Sequence, residues 1–270
     1  MKTGVKIDVI VPTYQSERYL DACLSSIRRT VPVNNLIVID HYSTDRTIEI
    51  AKKHGAKIYF ENIGLAYARQ LGIELASTPI FLMVDSDVVF FEENWFERAY
   101  RVMEEDPRVG ALGLWTPSRY PDWRQKYINF WWRTVPASRK LGFVNAYMIR
   151  KKAVEGIKIP RFLNAHEHYY IKLYIKRRGY KIKVIPVKGM HYYDHAEGKA
   201  AWLGAGNRVL FGVDPVFKLL LYKIFPAPLK AFFPALAYRD PMIIVKNTRH
   251  WLDFLRGWLK PMEHIQLKRK

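Results

Sequence analysis

In the stretch Phe81-Leu82-Met83-Val84-Asp85-Ser86-Asp87, two carboxylates directly follow a short apolar run. The run predicts a buried strand of a parallel sheet, and open α/β sheets bind ligands at the carboxyl ends of such strands. Alternate residues of an extended segment point to opposite sides. One of Asp85 and Asp87 could therefore face a nucleotide sugar while the other faces a metal-bound diphosphate. The triplet alone is a weak signal, since both aspartates could simply end a strand and cap a helix beginning near Glu92.

The chain before this stretch alternates predicted strands with predicted helices. The strands are expected at residues 6–12, 36–40 and 57–61, and the helices from Ser16, from Ser43 or Thr44, and from Gly64 to Ala76. Alternation in units of about 20–30 residues predicts right-handed crossovers and a mostly parallel sheet flanked by helices. The chain has no G-x-G-x-x-G after the first strand and no Walker lysine loop, which disfavours dehydrogenase and P-loop classes.

Composition sets limits on the class of protein. A chain of 270 residues can form one large α/β domain, alone or with an appendage. Its single cysteine, Cys23, excludes an internal disulfide framework and favours a reducing compartment. The first four residues lead straight into a strand, so no secretory signal is expected.

Positive charge is concentrated in the second half of the chain. The formal net charge is +19, with −3 in residues 1–118, +15 in residues 119–190 and +7 in residues 214–270. Such a field favours anionic partners, which include nucleic acid, an anionic membrane surface and phosphate-bearing substrates. A solvated basic face without a specific partner is the alternative.

Four short motifs of the first half, in this order, resemble those of the family 2 glycosyltransferases. They are Val9-Ile10-Val11-Pro12-Thr13-Tyr14, Val38-Ile39-Asp40 with Ser43-Thr44-Asp45, Asn62-Ile63-Gly64-Leu65-Ala66 with Ala68-Arg69, and Asp85-Ser86-Asp87. The resemblance implies the GT-A fold, a Rossmann-like fold of nucleotide-diphospho-sugar transferases, and inverting transfer of a sugar. It is strong over residues 6–90, patchy over 110–195 and weak beyond.

The resemblance also implies a site for a nucleotide-diphosphate sugar. Asp40 is expected at the nucleotide base, Asp85 at the ribose or the metal, and Asp87 at the metal. The residues expected to bind the nucleotide sugar are Pro12, Thr13, Tyr14, Asp40, Asn62, Gly64, Arg69, Asp85, Ser86 and Arg208. The chain departs from the family's pattern at Gln15, where asparagine is usual, and at His41 and Tyr42.

A histidine completes the implied metal site. The family often has a metal-binding histidine after the strand predicted at residues 182–185, and His191 matches it. Asp85, Asp87 and His191 are therefore expected to hold a divalent cation, Mn²⁺ or Mg²⁺, and an imidazole ligand suits Mn²⁺ better. His195 is a weaker candidate.

An inverting transfer needs a group that takes the proton of the acceptor hydroxyl. The family draws this base from a Glu-Asp pair that opens a helix ending in Gly-Tyr-Lys. Here Glu167 and His168 occupy the pair, and Gly179-Tyr180-Lys181 follows in register. An imidazole can serve as a base near neutral pH, so His168 could act, and Glu167 could act instead or orient the ring. The alternative for His168 is a capping or stacking role, with an acceptor phosphate that needs no deprotonation.

The last part of the chain is apolar and basic. It lacks a run of about 20 apolar residues, so a spanning helix is not expected. Lysines and arginines interleave with Phe, Trp and Leu over residues 214–260, which favours peripheral membrane contact; packing on the catalytic domain or in a homodimer is the alternative. The predicted domains are a GT-A domain at 1–212, divided into nucleotide-sugar (1–118) and acceptor (119–212) halves, and an amphipathic helical extension at 213–270.

The sequence thus predicts a metal-dependent inverting glycosyltransferase. Its donor would be a UDP- or GDP-linked sugar, and its acceptor an anionic lipid-linked molecule such as a polyprenyl phosphate, or a growing glycan. The expected location is cytoplasmic, on the inner face of the cell membrane. The alternatives are a basic nucleic-acid-binding module, which leaves the paired aspartates unexplained, and an inactive glycosyltransferase-like scaffold, suggested by the missing base aspartate.

Overall fold

A computed structural model of the chain describes residues 4–119, 122–134, 145–161, 163, 167–192 and 226–259. The chain divides into two compact units. The first comprises Met1–Ser118 and Phe143–Tyr193, and the second comprises Arg119–Gly142 and Asp194–Lys270. The predicted boundary between residues 212 and 213 lies outside the described residues and stays a prediction.

The first unit is built mainly of strands. The strands of the chain are β1 (Ile7–Thr13), β2 (Val33–Asp40), β3 (Lys57–Phe60), β4 (Ile80–Val84), β5 (Val88–Phe90), β6 (Val109–Trp115), β7 (Ser118–Arg119), β8 (Ala146–Arg150), β9 (Lys181–Pro186) and β10 (Gly189–Tyr192). Seven of them form a sheet in the order β3-β2-β1-β4-β8-β6-β9. Only β8 runs antiparallel to its neighbours, so the predicted mostly parallel sheet is confirmed.

Helices alternate with the strands of the first unit, and three further helices belong to the second unit. The helices are α1 (Glu17–Thr30), α2 (Thr47–Lys53), α3 (Leu65–Leu75), α4 (Trp95–Glu105), α5 (Asp122–Thr134), α6 (Glu167–Arg177), α7 (Pro226–Ala237) and α8 (Met242–Leu259), with a 3-10 turn at Lys151–Val154. Strand side chains alternate between two cores: Leu82 packs in the core that contains α1 and α4 residues, and Phe81 in the core that contains α3 and α6 residues. Both faces of the sheet are therefore buried, as in other mostly parallel sheets.

Close approach fixes α3 against β1. A Cβ atom added to Gly72 would lie 2.5 Å from Ile10 Cγ2. Because only glycine allows this distance, α3 comes close enough to the sheet to carry its buried Arg69 towards the end of β4.

Two predicted helix starts were wrong. Helix α2 begins at Thr47 rather than after a Ser43 or Thr44 cap, because the Ser43 side chain bonds to Asp40 instead. Helix α4 begins only at Trp95, after strand β5. Asp85 and Asp87 therefore do not cap a helix near Glu92, and the structural alternative for this pair does not hold.

Strand β8 and a second, small sheet both contribute residues at the carboxyl end of β4. Strand β8 pairs with β4, and just beyond this pairing Asp85 N donates to Asn145 O at 2.8 Å. The small sheet has the order β5-β10-β7, and it pairs Val88 with His191. Both contacts bring residues distant in the sequence to the two aspartates.

The second unit contains α5, α7 and α8. Its core consists of Ala231, Ala235 and Ile243, with Tyr127 and Tyr238 packed against them. Lys126 Nζ donates to Asp240 Oδ2 at 2.8 Å and ties α5 to the turn between α7 and α8. Among the described residues, no helix is long and apolar enough to cross a membrane.

Candidate functional site

The Asp40 side chain connects the carboxyl ends of β1 and β2 through hydrogen bonds. Its side chain is buried, and its two oxygens accept hydrogen bonds from Thr13 Oγ1 at 2.6 Å, from Ser43 N at 2.6 Å and from Ser43 Oγ at 2.7 Å. Three donors already occupy this carboxylate. Asp40 therefore shapes the loop that follows β2, in addition to any contact with a ligand.

Gln15 joins the same loop from the other side. Its backbone N donates to Ser43 Oγ at 2.8 Å, and its Oε1 accepts from the backbone N–H groups of Thr44 at 3.1 Å and Asp45 at 3.2 Å. Gln15 has a φ of 48°, an uncommon conformation for a residue with a side chain. The glutamine that stands where asparagine is usual therefore keeps a side-chain amide, and this amide bridges the loops that follow β1 and β2.

Glu61 organises the turn into α3. Its carboxylate is buried, and its Oε2 accepts from Ile63 N at 2.8 Å and from Gly64 N at 2.6 Å. Its Oε1 lies 2.7 Å from His41 Nδ1. His41, where the chain departs from the family's pattern, therefore pairs with a buried carboxylate. Gly64 has a φ of 132°, so the turn requires glycine, and the neighbouring Asn62 is exposed.

The two aspartates and His191 converge on one point. One ligand atom from each of Asp85, Asp87 and His191 lies within 4.8 Å of the others. His191 Nε2 is 3.3 Å from Asp87 Oδ1, whereas its Nδ1 is 2.7 Å from the Asn145 amide and 3.1 Å from Ser118 Oγ. These contacts fix the ring so that Nε2 faces the carboxylates. Two carboxylates and one imidazole are a donor set that suits Mn²⁺.

Arg69 links the acidic pair to the start of α6. Its Nη2 donates to Asp85 Oδ1 at 2.6 Å, and its Nε donates to Glu167 Oε1 at 2.7 Å. The guanidinium is buried, and its carbon lies 5.6 Å from the centre of the Tyr147 ring. Burial alone would lower the pKa of Arg69, but its surroundings, the two carboxylates included, raise it well above the usual range, so Arg69 is always charged.

The remaining predicted residues fall in three groups. Pro12 and Tyr14 lie at the end of β1, and Ser86 Oγ is 2.9 Å from Ser16 Oγ beneath them. Glu167 and His168 open α6, as predicted. Arg208 and His195 lie outside the described residues.

A protein-family model matches the larger part of the chain. The model of glycosyl transferase family 2 covers residues 8–158, which is more than half of the chain. The chain belongs to glycosyl transferase family 2. The resemblance inferred from the four motifs is thereby confirmed, and the protein is a glycosyltransferase.

Relatives of this family 2 glycosyltransferase differ in length. Uncharacterized protein MJ1222 of Methanocaldococcus jannaschii is 25% identical over 246 residues, 82% of this chain and 93% of that protein. The dolichyl N-acetyl-alpha-D-glucosaminyl phosphate 3-beta-D-2,3-diacetamido-2,3-dideoxy-beta-D-glucuronosyltransferase of Methanococcus voltae is 28% identical over 121 residues, 40% of this chain and 38% of that enzyme. The chain thus spans well under half of this second relative.

A solved structure of similar fold confirms the GT-A architecture. A mannosyltransferase from Pyrobaculum calidifontis, in complex with GDP-Man and Mn²⁺, superimposes with a TM-score of 0.63 at 15% identity. The match covers 94% of this chain and 86% of the mannosyltransferase. At this identity the similarity concerns the fold alone.

Several residues of the site were not found by sequence reasoning. The sequence patterns do not indicate Asn145, Ser118, Glu61 or Tyr147 as site residues. They reach the site through sheet pairing between distant segments. The one local signal was the strand-end position of Glu61, which parallels that of Asp40.

Proposed function

We propose that this protein transfers a sugar, with inversion, from a UDP- or GDP-linked donor to a membrane-associated acceptor such as a polyprenyl phosphate or a growing glycan. The observation that carries the proposal is the convergence of Asp85, Asp87 and His191 at the carboxyl end of β4. Ligands of open α/β sheets bind at this edge.

A divalent cation, Mn²⁺ or Mg²⁺, fits the three side chains. Asp85 has one oxygen engaged by Arg69, and its second oxygen remains for a metal. For His191 Nε2 to offer a lone pair, its proton must lie on Nδ1. Ser118 Oγ can accept that proton, and the Asn145 amide must then turn its oxygen, not its nitrogen, towards Nδ1. A bound cation would neutralise charge on the diphosphate as it leaves.

The donor would lie across the loops that follow β1, β2 and β3. Pro12, Thr13 and Tyr14 would flank the nucleotide with Asp40, whereas Asn62 and Gly64 would approach from the turn into α3, and Ser86 and Arg208 complete the proposed set. Arg69 Nη1 is buried and has no acceptor among the described residues, so it could donate to an anionic oxygen of the donor.

Membrane contact is proposed through the second unit. The residues Leu229, Phe232, Phe233 and Leu236, here called the α7 stripe, recur at helical spacing, and each is more than half exposed. Five lysines and arginines accompany two aspartates over residues 226–259. An apolar stripe with net positive charge is typical of interfacial helices, and such contact would place the protein on the inner face of the cell membrane, with a homodimer as the alternative use of the stripe.

A thermal-shift experiment tests the donor site. We expect UDP, GDP or one of their sugar conjugates to raise the Tm of the wild type only with Mn²⁺, and Asp87→Ala to abolish that response. Asp106→Ala is the matched control, because Asp106 ends α4 and pairs with Arg108. If no nucleotide changes the Tm of the wild type, the proposal fails.

A further inference from the structure

The two residues that open α6 have very different surroundings. The side chain of Glu167 is 2% exposed, whereas that of His168 is 36% exposed. Glu167 Oε1 accepts from Arg69 Nε at 2.7 Å, and His168 Nδ1 lies 3.7 Å from the same oxygen. One member of the pair is thus enclosed and the other is accessible.

Glu167 is a poor proton acceptor. Burial alone would raise the pKa of Glu167, but Arg69 and His168 outweigh burial, and the pKa falls to about 2. A general base works best when its pKa is near the working pH. Moreover, both oxygens of Glu167 are buried: Oε1 accepts from Arg69 Nε, and Oε2 is enclosed and has no hydrogen-bond partner among the described residues, so neither oxygen is exposed to an acceptor in solvent.

We propose that His168 takes the proton of the acceptor hydroxyl, and that Glu167 is a positioning residue held in place by Arg69. The inference rests on the proposed function, and it assigns to one residue a role that the sequence left between two. It also explains how the chain works without the family's aspartate at this position.

The proposed step balances in atoms and charge. The acceptor oxygen forms a bond to the anomeric carbon, its proton moves to His168 Nε2, and the bond from the anomeric carbon to the diphosphate oxygen breaks. The electron pair of that bond leaves with the nucleoside diphosphate. His168 becomes an imidazolium with Nδ1–H turned to Glu167, and it returns its proton to solvent because its side chain is partly exposed.

The charges near His168 favour this step. The carboxylate beside His168 is Glu167, whose Oε1 lies 3.7 Å from His168 Nδ1. Tyr147, which packs against Arg69, stays neutral, since burial raises the pKa of its phenol. A carboxylate at this position stabilises a positive imidazolium beside it.

The tautomer of His168 tests the inference without any substrate. The probe is ¹⁵N-histidine-labelled protein, in which long-range ¹H–¹⁵N spectra identify the protonated nitrogen, and His168→Gln assigns the signal. We expect the neutral ring to carry its proton on Nδ1. A neutral ring protonated on Nε2 would overturn the inference, because its lone pair would then lie on Nδ1 and face Glu167.

Kinetics provide the second test. UDP-glucose, UDP-N-acetylglucosamine and GDP-mannose serve as donors with Mn²⁺. Water or a short oligosaccharide serves as acceptor, because a phosphate acceptor has no hydroxyl proton for His168 to take. We expect His168→Gln to lower kcat by about 10²–10⁴-fold with little change in donor KM. His168→Asp should retain activity and move the acid limb of the kcat profile to lower pH, because carboxyl groups titrate about 2–3 units below imidazoles.

His54→Gln is the matched control. His54 lies in the turn between α2 and β3, an edge strand of the sheet, and pairs with Asp21. The inference is wrong if His168→Gln keeps a third or more of the wild-type kcat, or if the product has the anomeric configuration of the donor. Failure of nucleotide binding in the thermal-shift experiment would instead count against the proposed function, and the tautomer measurement would still decide the role of His168.

Discussion

Arg69 holds Asp85, a residue of the candidate metal site, at 2.6 Å through Nη2, and the same guanidinium holds Glu167 at 2.7 Å through Nε. The two carboxylates are 82 positions apart in the chain, yet one buried side chain sets the position of both. Arg69 therefore connects the carboxyl end of β4 to the start of α6. Any change at Arg69 must affect both.

Replacement of Arg69 should destabilise the first unit. Arg69→Met leaves the buried Glu167 and the partly exposed Asp85 without their cation, and breaking a buried pair such as Arg69–Glu167 costs about 3–5 kcal/mol. Urea unfolding followed by tryptophan fluorescence measures the loss. The control is Arg98→Met, because Arg98 forms an exposed pair with Glu92 that is worth less than about 1 kcal/mol. Equal losses of unfolding free energy in the two variants would show that the buried ion pairs of Arg69 stabilise the protein no more than the exposed pair does.

Asn145 should tune the affinity for Mn²⁺ although it is not a proposed ligand. Its amide lies 2.7 Å from His191 Nδ1, and partners of ligating histidines typically change metal affinity by about 10–100-fold. We therefore expect Asn145→Ala to weaken Mn²⁺ binding within that range, as measured by calorimetry in the presence of the stabilising nucleotide. Asn94→Ala is the control, because Asn94 is exposed, lies before α4 and belongs to neither proposed site. An unchanged Kd in Asn145→Ala would contradict the proposed orientation of the ring.

Asp8 should make folding stability depend on pH in the acid range. Its buried carboxylate accepts from Asn34, Asn35 and Ser77; burial alone would raise its pKa, but these bonds lower it from 3.8 to about 2. Because the folded-state pKa is depressed, the stabilisation is present above about pH 4 and is lost as the pH falls towards 2. The shift corresponds to about 2 kcal/mol.

Comparison with Asp8→Asn measures this contribution. We expect the variant to be less stable at pH 7 and to lose less stability than the wild type between pH 4 and pH 2, as followed by urea unfolding at each pH. Parallel curves for the two proteins would mean that Asp8 does not carry the effect.

Gly64 should resist substitution for a backbone reason. At its φ of 132° a side chain is strained, so Gly64→Ala is expected to cost about 1–3 kcal/mol. Thermal unfolding checks the loss, and Gly4→Ala is the control because a Cβ atom there meets nothing within 4 Å. A Tm for Gly64→Ala equal to that of the control would refute the strain argument.

The α7 stripe should bind membranes. Phe232 and Phe233 are each about half exposed, so burial in lipid would contribute about 1 kcal/mol per ring. The double substitution to serine should therefore weaken binding to vesicles containing anionic phosphatidylglycerol by about 20–30-fold in co-sedimentation. Phe91→Ser, an equally exposed phenylalanine of the first unit, should leave binding unchanged. If the double variant binds as the wild type does, the stripe serves another purpose, such as a homodimer contact that its sedimentation velocity would reveal.

Much of the fold could be predicted from the sequence. The run before Asp85 and the strand ending at Asp40 were each predicted as strands because continuous apolar residues mark strands buried on both faces. The helix ends were less accurate. Ser43 has the residue type of a cap, but its hydroxyl is used by Asp40, a competition that local patterns do not reveal.

The sequence by itself determined the alternation of strands and helices, the carboxylates after β4 and the departure at His168, because these features depend on residue type and on neighbours along the chain. Only the tertiary structure decided which groups meet. The antiparallel entry of β8 brings Asn145 to His191, and the close packing of α3 brings Arg69 between Asp85 and Glu167. Pairings across 16 to 98 positions arise from sheet order and helix packing, and no local pattern encodes them.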